Sequence, residues 1–166
     1  HQCVTALCAR AARGDQGCGM SAKERTKGAT GERELAKILR DELGAEITRN
    51  LVQSREGGAD LLGVPGWAIE CKRAADKSLN KWWLQACQQA DRAGMKPALI
   101  YRIDRCDWRV IVAMRHLFPS FECHPIGITW TVEMSLPAWC AVVREEMDEA
   151  TKKPLEGGFI APYRRG

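Results

Sequence analysis

The segment from residue 59 to residue 73 constrains the fold most strongly. Ala59–Val64 and Trp67–Arg73 both have the composition of β-strands, and Pro65-Gly66 between them is typical of a tight turn. Side chains alternate between the two faces of a strand, so Glu70 and Lys72 are expected to share one face. The opposite face is apolar and carries Trp67, Ile69 and Cys71.

Two segments have the residue spacing of amphipathic helices. The first is predicted to begin at Thr30, whose hydroxyl can cap it, and to end at Gly44. The second is predicted to begin at Ser78 or Asn80 and to end at Gly94. We therefore expect a helix before the predicted hairpin and another after it.

The remaining strands complete the predicted order of helix, three strands, helix and two strands. Glu46–Val52 is the expected first strand, and Ala98–Arg102 and Trp108–Ala113 are the last two. This order predicts an α/β fold in a single domain, with a central mixed β-sheet flanked by helices. Val132–Glu149 is predicted to hold a further helix, with Ser135 as its cap.

Length and composition agree with one ordinary domain. The 166 residues are 45% hydrophobic and 28% charged, which allows a filled core. Apolar runs such as Pro97 to Tyr101 are far too short to span a membrane, so we exclude an integral membrane protein as well as a collagen-like fibre and a coiled coil. The net charge of +4 permits a polyanionic partner but is also ordinary for solubility.

The eight cysteines form no CxxC pair, and we interpret them as reduced thiols of a cytoplasmic protein. Residues 1–19 lack the pattern of a secretory signal and are expected to be a leader or an appended segment outside the fold, with Met20 a candidate natural start. We expect the functional core in residues 20–114. Residues 115–166 are predicted to be a C-terminal extension of unknown role.

Asp60, Glu70 and Lys72 are the first candidate site residues. If Asp60 lies beside Glu70 on the neighbouring strand, the two carboxylates repel each other unless a divalent cation lies between them. Hard oxygen ligands favour Mg²⁺ or Mn²⁺, and such an ion beside a lysine suits phosphodiester hydrolysis. The alternative is chance, because an ExK tripeptide occurs by accident in roughly one such sequence in two.

Glu32 is the next candidate, because it precedes Leu35 and Leu39 by three and seven residues and so begins the buried stripe of the first helix. It can therefore face the same site. An acidic residue in a first turn can also simply interact with the helix dipole. Glu34 fits that second role better.

These motifs together resemble the PD-(D/E)XK nucleases, in particular the archaeal-type Holliday-junction resolvases and their phage-borne relatives. The resemblance extends in order over about residues 27–113. Its motifs are Lys27-Gly28, Glu32-Arg33-Glu34-Leu35, Thr48-Arg49, Gly58-Ala59-Asp60-Leu61-Leu62 and Ile69-Glu70-Cys71-Lys72. Ala59 stands where the family name has proline.

The resemblance implies a restriction-endonuclease-like core and a Mg²⁺-dependent endonuclease, with Mn²⁺ as a possible substitute. Glu32, Asp60 and Glu70 would be catalytic residues that hold the metal, and Lys72 the catalytic lysine. A metal-activated water would attack the phosphorus in line. DNA, in the form of a branched or four-way junction, would be the substrate of a homodimer in a prokaryotic or phage-infected cytoplasm.

Further residues are candidates for DNA binding. The resemblance implies Arg33 and Arg49, and their basic neighbours in sequence are Arg55, Arg73, Lys77 and Lys81. Gln85 resembles a glutamine that supports such sites, although it can equally be a solvated helix residue. Trp82 and Trp83 point to different sides of their helix, so one is expected in the core. His116 and His124 receive no role.

Two alternatives stay open. One is a nuclease of the same fold that acts in repair, restriction or single-strand processing. The other is a non-catalytic nucleic-acid-binding module, against which the complete set of Glu32, Asp60, Glu70 and Lys72 argues.

Overall fold

The computed structural model describes residues 22–51, 58–122 and 127–152. Three helices and six strands occur in these ranges. In chain order they are α1 (Ala22–Leu43), β1 (Thr48–Arg49), β2 (Leu61–Leu62), β3 (Trp67–Ala74), α2 (Leu79–Ala93), β4 (Lys96–Ile103), β5 (Arg109–Ala113), β6 (Thr131–Ser135) and α3 (Leu136–Lys152). Short 3₁₀ turns at Met114–His116, Pro119–Phe121 and Ile128–Trp130 connect β5 to β6.

The six strands form one mixed sheet whose spatial order follows the chain. β3 and β4 are parallel and are joined by α2, whereas every other neighbouring pair is antiparallel. In the parallel pair Lys72 lies beside Tyr101 and Arg73 beside Arg102. The predicted α/β fold with a central mixed sheet is confirmed.

Helices cover both faces of the sheet. On one face, Leu35 and Leu39 of α1 and Trp139 of α3 pack in a cluster with Ile69 and the other apolar residues of β3. The predicted apolar face is thereby confirmed.

On the opposite face, Trp83 of α2 packs with Leu99 and Tyr101, and Ala90 packs with Ala68 of β3. Glu70 shares this second face, so the strand that carries the candidate site is buried on both sides.

Helix α1 begins at Ala22, so the prediction that Thr30 caps it is wrong. The Thr30 hydroxyl instead donates a hydrogen bond of 2.9 Å to the Thr26 carbonyl one turn earlier, as threonines inside helices do. The predicted end is confirmed: Gly44 has a φ of +63°, and its N–H donates to the Arg40 carbonyl.

The second helix begins after Ser78 and ends at Gly94, whose φ is +64°, as predicted. β1 and β2 are shorter than expected, with two residues each. Ile47, in the predicted first strand, is buried, whereas Leu51 is 75% exposed.

The helix predicted within Val132–Glu149 is confirmed as α3, which begins directly after the predicted cap Ser135, whereas the preceding residues form β6, a strand that was not predicted. They pair with β5, a contact that local helical spacing does not reveal. Ser135 lies at the start of α3, where its hydroxyl accepts the Ala138 N–H at 3.4 Å. Because Trp139 and Val143 are fully buried, residues 131–152 contribute both a strand and a core helix.

The predicted leader, residues 1–19, and the part of the predicted C-terminal extension after Lys152 lie outside the described residues. Within the described ranges every helix is too short or too polar to serve as a membrane span. Cys71, Cys106 and Cys140 carry free thiols.

Candidate active site

Glu70 lies in the middle of β3 and is completely buried. The Lys72 ammonium is 2.5 Å from Glu70 Oε1, whereas Glu70 Oε2 has no partner with hydrogen-bond geometry among the described residues. Burial raises the pKa of Glu70, and the nearby Lys72 and Gln89 side chains oppose that rise. The sheet therefore holds a carboxylate with one cationic partner and one oxygen available to another.

Asp60 comes directly before β2 and is 6% exposed. Its Oδ2 accepts the Cys71 N–H at 2.6 Å, and its own N–H donates to the Ile69 carbonyl at 2.8 Å. The Asn50 N–H donates to the Asp60 carbonyl at 2.9 Å. Main-chain groups of β3 and of the segment after β1 thus fix this carboxylate beside the strand that carries Glu70.

Glu32 projects from α1 toward β1 and pairs with Arg49. Its Oε2 accepts hydrogen bonds from Arg49 Nε at 2.7 Å and lies 2.5 Å from the terminal nitrogen. The pKa of the buried Cys71 thiol is raised by burial and then by the charges of Asp60, Glu32 and Glu70. All three predicted acids therefore lie within electrostatic reach of one residue of β3.

The three carboxylates are not a ready-made three-ligand site. Among residues 22–51, 58–122 and 127–152, no group of three or more His, Cys, Asp and Glu side chains is arranged to hold a metal ion. Arg49 pairs with Glu32, Lys72 pairs with Glu70, and the Cys71 N–H of β3 holds the Asp60 carboxylate. We use the name catalytic face for the candidate residues Asp60, Glu70 and Lys72.

Gln89 is a site residue that the sequence analysis missed. It is 7% exposed on α2, its amide lies close enough to Glu70 to lower that residue's pKa, and its Oε1 has no hydrogen-bond partner among the described residues. Gln85, the predicted supporting glutamine, is half-buried one turn earlier. The buried stripe of α2 contains Gln89 together with Trp83, Ala86 and Ala90. Their helical spacing in the sequence could have indicated that Gln89 faces the sheet.

The predicted DNA-binding residues differ in their surroundings. Arg33, Lys77 and Lys81 are exposed, and Lys77 Nζ lies 5.6 Å from the centre of the Tyr101 ring. Arg73 is about a quarter exposed, at 26% of its side chain. Arg55 lies outside the described residues.

Glu34 does not have the predicted role in a first helical turn, because α1 begins well before it. It instead forms two hydrogen bonds with the Arg102 guanidinium, at 2.5 and 3.0 Å. Arg73 lies 3.7 Å away, and Trp108 Nε1 donates to the same carboxylate at 3.4 Å.

The aromatic and histidine residues add no further group to the catalytic face. Trp83 is buried, as one of the tryptophan pair was predicted to be, and the half-buried Trp82 packs 6.0 Å from Tyr101. His116 packs against the Trp67 ring, and burial and then the nearby Arg115 and Lys96 lower its pKa to about 4. His124 lies outside the described residues.

A mixed sheet with two buried carboxylates and a lysine, on β3 and directly before β2, is the arrangement that the resemblance to PD-(D/E)XK nucleases implies. The family model described as "Phage putative PDDEXK endonuclease" matches residues 23–134, more than half of the chain, and the chain belongs to this family. The protein is therefore a nuclease.

Two individual proteins are similar to this chain. Protein D14 of Escherichia phage T5 is 27% identical over 114 residues, which cover 55% of this chain and 71% of that protein. Among solved structures, Hjc of Archaeoglobus fulgidus, a Holliday junction resolvase, is 15% identical with a TM-score of 0.46, covering 68% of this chain and 97% of that one.

Proposed function

We propose that this nuclease is a Mg²⁺-dependent DNA endonuclease that nicks branched DNA, with a four-way junction as its substrate. The observation that carries the proposal is the pairing of buried Glu70 with Lys72 beside the fixed carboxylate of Asp60. Burying a carboxylate without full hydrogen bonding is costly, and an ionisable group in such surroundings is a candidate for a functional role.

The donor set fits a hard divalent cation, which the family generally uses. Mg²⁺ is usually held by one or two carboxylates, with waters and substrate phosphate oxygens completing its coordination. Asp60 and Glu70 supply the carboxylates, and Glu70 Oε2 is without a hydrogen-bond partner among the described residues. A bound cation would polarise the phosphodiester and acidify a water molecule.

Lys72 has two tasks in this proposal. Its side chain is 26% exposed, so it can reach a substrate while its ammonium contacts Glu70. It positions the attacking water and stabilises the negative charge that develops on the phosphate oxygens as one P–O bond forms and another breaks. Glu32 acts on the site through its charge and through Arg49.

The basic residues bind the DNA backbone. Arg49 faces phosphate from the edge of the sheet while Glu32 fixes its orientation. Arg33, Lys77 and Lys81 add exposed positive charge nearby. Symmetric nicking of a four-way junction needs two active sites related by a two-fold axis, so we propose a homodimer that works in the cytoplasm of the host cell.

A cleavage assay tests the proposal. A four-way junction, a flap and a linear duplex of the same sequence are incubated with Mg²⁺ or with EDTA. We expect nicks in the junction with Mg²⁺ and none with EDTA. Asp60→Asn should slow cutting by about 100-fold or more while DNA binding in EDTA persists.

Asp91→Asn is the matched control, because Asp91 is an exposed acid near the end of α2. Equal cutting of the linear duplex would overturn the junction preference and favour a repair or restriction role. Binding without metal-dependent cutting of any substrate would instead favour the non-catalytic module.

A further inference from the structure

A second charged cluster lies on the opposite face of the same strand end. We call Lys27, Glu34, Arg73, Arg102 and Asp104 the Glu34 cluster. Glu34 receives two hydrogen bonds from Arg102, and the Arg102 guanidinium lies 5.0 Å from the centre of the Trp108 ring. Lys27 pairs with Asp104 at 2.5 Å.

Positive charge exceeds negative charge in the Glu34 cluster. Its three cations face two carboxylates, so one positive charge remains uncompensated. Lys27, Arg73 and Arg102 all lower the pKa of the exposed Asp104 carboxyl, mainly through the Lys27 hydrogen bond. These groups therefore act on one another over a common surface.

Arg73 is the member of the cluster whose donors are least satisfied. Its nearest approach to Glu34 is 3.7 Å, longer than a hydrogen bond, and its buried Nε has no hydrogen-bond partner among the described residues. A guanidinium carries five N–H donors, and two oxygens of a phosphate can accept two of them in a bidentate pair.

Gly31 of α1 makes room for this arginine. A Cβ atom at residue 31 would lie 3.2 Å from Arg73 Cβ and 3.7 Å from the Trp108 ring. Glycine inside a helix costs about 1 kcal/mol relative to alanine, which makes its placement against Arg73 informative. The helix thus approaches β3 closely and holds the arginine stem in a fixed position.

We propose that Arg73 and Arg102 form a second phosphate-binding point for the DNA backbone, and that Glu34 is the positioning residue for both guanidinium groups. The proposal rests on the proposed function and adds a contact to it. Arg73 directly follows Lys72 in β3 and lies beside Arg102 in register, so the point lies at the same strand end as Lys72 but on the opposite face of the sheet. Both side chains are partly exposed, at 26% and 20%.

Binding of a four-way junction, measured by fluorescence anisotropy in EDTA over a series of salt concentrations, tests this proposal. The slope of log K against log salt is negative, and each lost phosphate contact reduces its magnitude by about 0.9. We expect Arg73→Gln and Arg102→Gln each to reduce that magnitude by about the same amount. The matched control, Arg92→Gln at the far end of α2, should leave the slope unchanged.

The Glu34→Gln variant tests whether Glu34 positions the two arginines or only adds negative charge near the DNA. Removal of a negative charge should strengthen binding if only net charge matters, as we expect for Asp91→Asn. If Glu34 positions the arginines, the variant should instead bind DNA at least about threefold more weakly, and the slope of log K against log salt should have a smaller magnitude. Glu34→Asp, which keeps the charge but shortens the side chain, should lie between the wild type and Glu34→Gln.

Thermal unfolding of each variant identifies any that fail to fold, and Glu34→Asp then carries the test. Tighter binding by Glu34→Gln, or an unchanged slope in Arg73→Gln, would overturn the inference while the proposed nuclease activity stands. Failure of the wild type to bind DNA at all would overturn the proposed function itself.

Discussion

Glu70 and Glu34 lie on opposite sides of the sheet and in opposite chemical situations. Glu70 is fully buried on the α2 side, with Lys72 as its cationic partner. Glu34 is about one-third exposed on the α1 side and is surrounded by Arg102, Arg73 and Trp108. One carboxylate has an oxygen without a hydrogen bond, and the other is surrounded by donors.

The two carboxylates therefore have different proposed roles: Glu70 would bind the metal ion, and Glu34 would position its neighbouring arginines. A buried carboxylate that lacks a full set of partners is costly in the apo protein and gains most when a cation arrives. A carboxylate surrounded by guanidinium groups contributes order to its neighbours instead. The comparison therefore predicts that equivalent substitutions at the two sites have different effects.

Cleavage should show the largest difference. We expect Glu70→Gln to reduce the single-turnover rate at saturating junction DNA by about 100-fold or more, because it removes a metal-binding charge. Glu34→Gln should lose less than about tenfold at low DNA concentration, and more DNA should recover that loss. Equal losses that DNA concentration cannot relieve would show that the two sites act as one.

Stability should respond differently at the two sites. Glu34→Ala leaves Arg102 without its bidentate partner and should lower the free energy of unfolding by about 1–3 kcal/mol. Glu70→Gln removes a charge whose burial is costly and leaves a Lys72 side chain that is 26% exposed to solvent, so it should not lower the free energy of unfolding. Urea unfolding at neutral pH without metal measures both, and Glu149→Gln on the exposed surface of α3 is the control. A large loss in Glu70→Gln would mean that the Lys72 pair, on balance, stabilises the fold.

The effect of Mg²⁺ on stability should also differ between variants of Glu70 and variants of Glu34. A cation that binds only the folded protein stabilises it by RT ln(1 + [L]/Kd), which is about 1.4 kcal/mol at ten times Kd. We expect Mg²⁺ to raise the melting temperature of the wild type and of Glu34→Gln, but not that of Glu70→Gln. An equal increase in all three proteins would place the bound ion elsewhere.

The parts of the structure that could be predicted from sequence are those set by local residue spacing. β3 and α2 were predictable because their apolar spacing is local: Trp67, Ile69 and Cys71 alternate along the strand, and Gly94 ends the helix. The Glu70–Lys72 pair follows from that alternation alone. Strand order and helix spacing also made Asp60 and Glu32 candidates, and the family resemblance then implied their metal-holding role.

What sequence spacing missed depends on contacts between distant segments. β6 is a strand because Val132 pairs with Val112, and its helical spacing gave no indication of that partner. The contact of Gln89 with Glu70 needed the position of α2 over the sheet. The Glu34 cluster joins α1 to β4 across 68 residues of sequence, so no local pattern could predict it.

The pH dependence of stability gives the smallest expected effect and isolates Glu70. Its folded-state pKa is raised above the ordinary value of 4.5, mainly by burial. As pH rises above about 4.5, the unfolded chain loses its proton first, so the folded state binds more protons and stability falls until Glu70 itself ionises. The contribution of this group is therefore fully present below 4.5 and is lost as pH rises through the folded-state pKa.

Free energies of unfolding from urea titrations between pH 4 and pH 8 measure this contribution. We expect the decline with rising pH to be smaller in Glu70→Gln than in the wild type, because glutamine does not titrate. Glu34→Ala retains Glu70 and should keep the wild-type decline, at a lower overall stability. If Glu70→Gln and the wild type have parallel profiles, the Lys72 ammonium at 2.5 Å already compensates for burial of the carboxylate. The difference between the two carboxylates would then lie in exposure and not in their need for a cation.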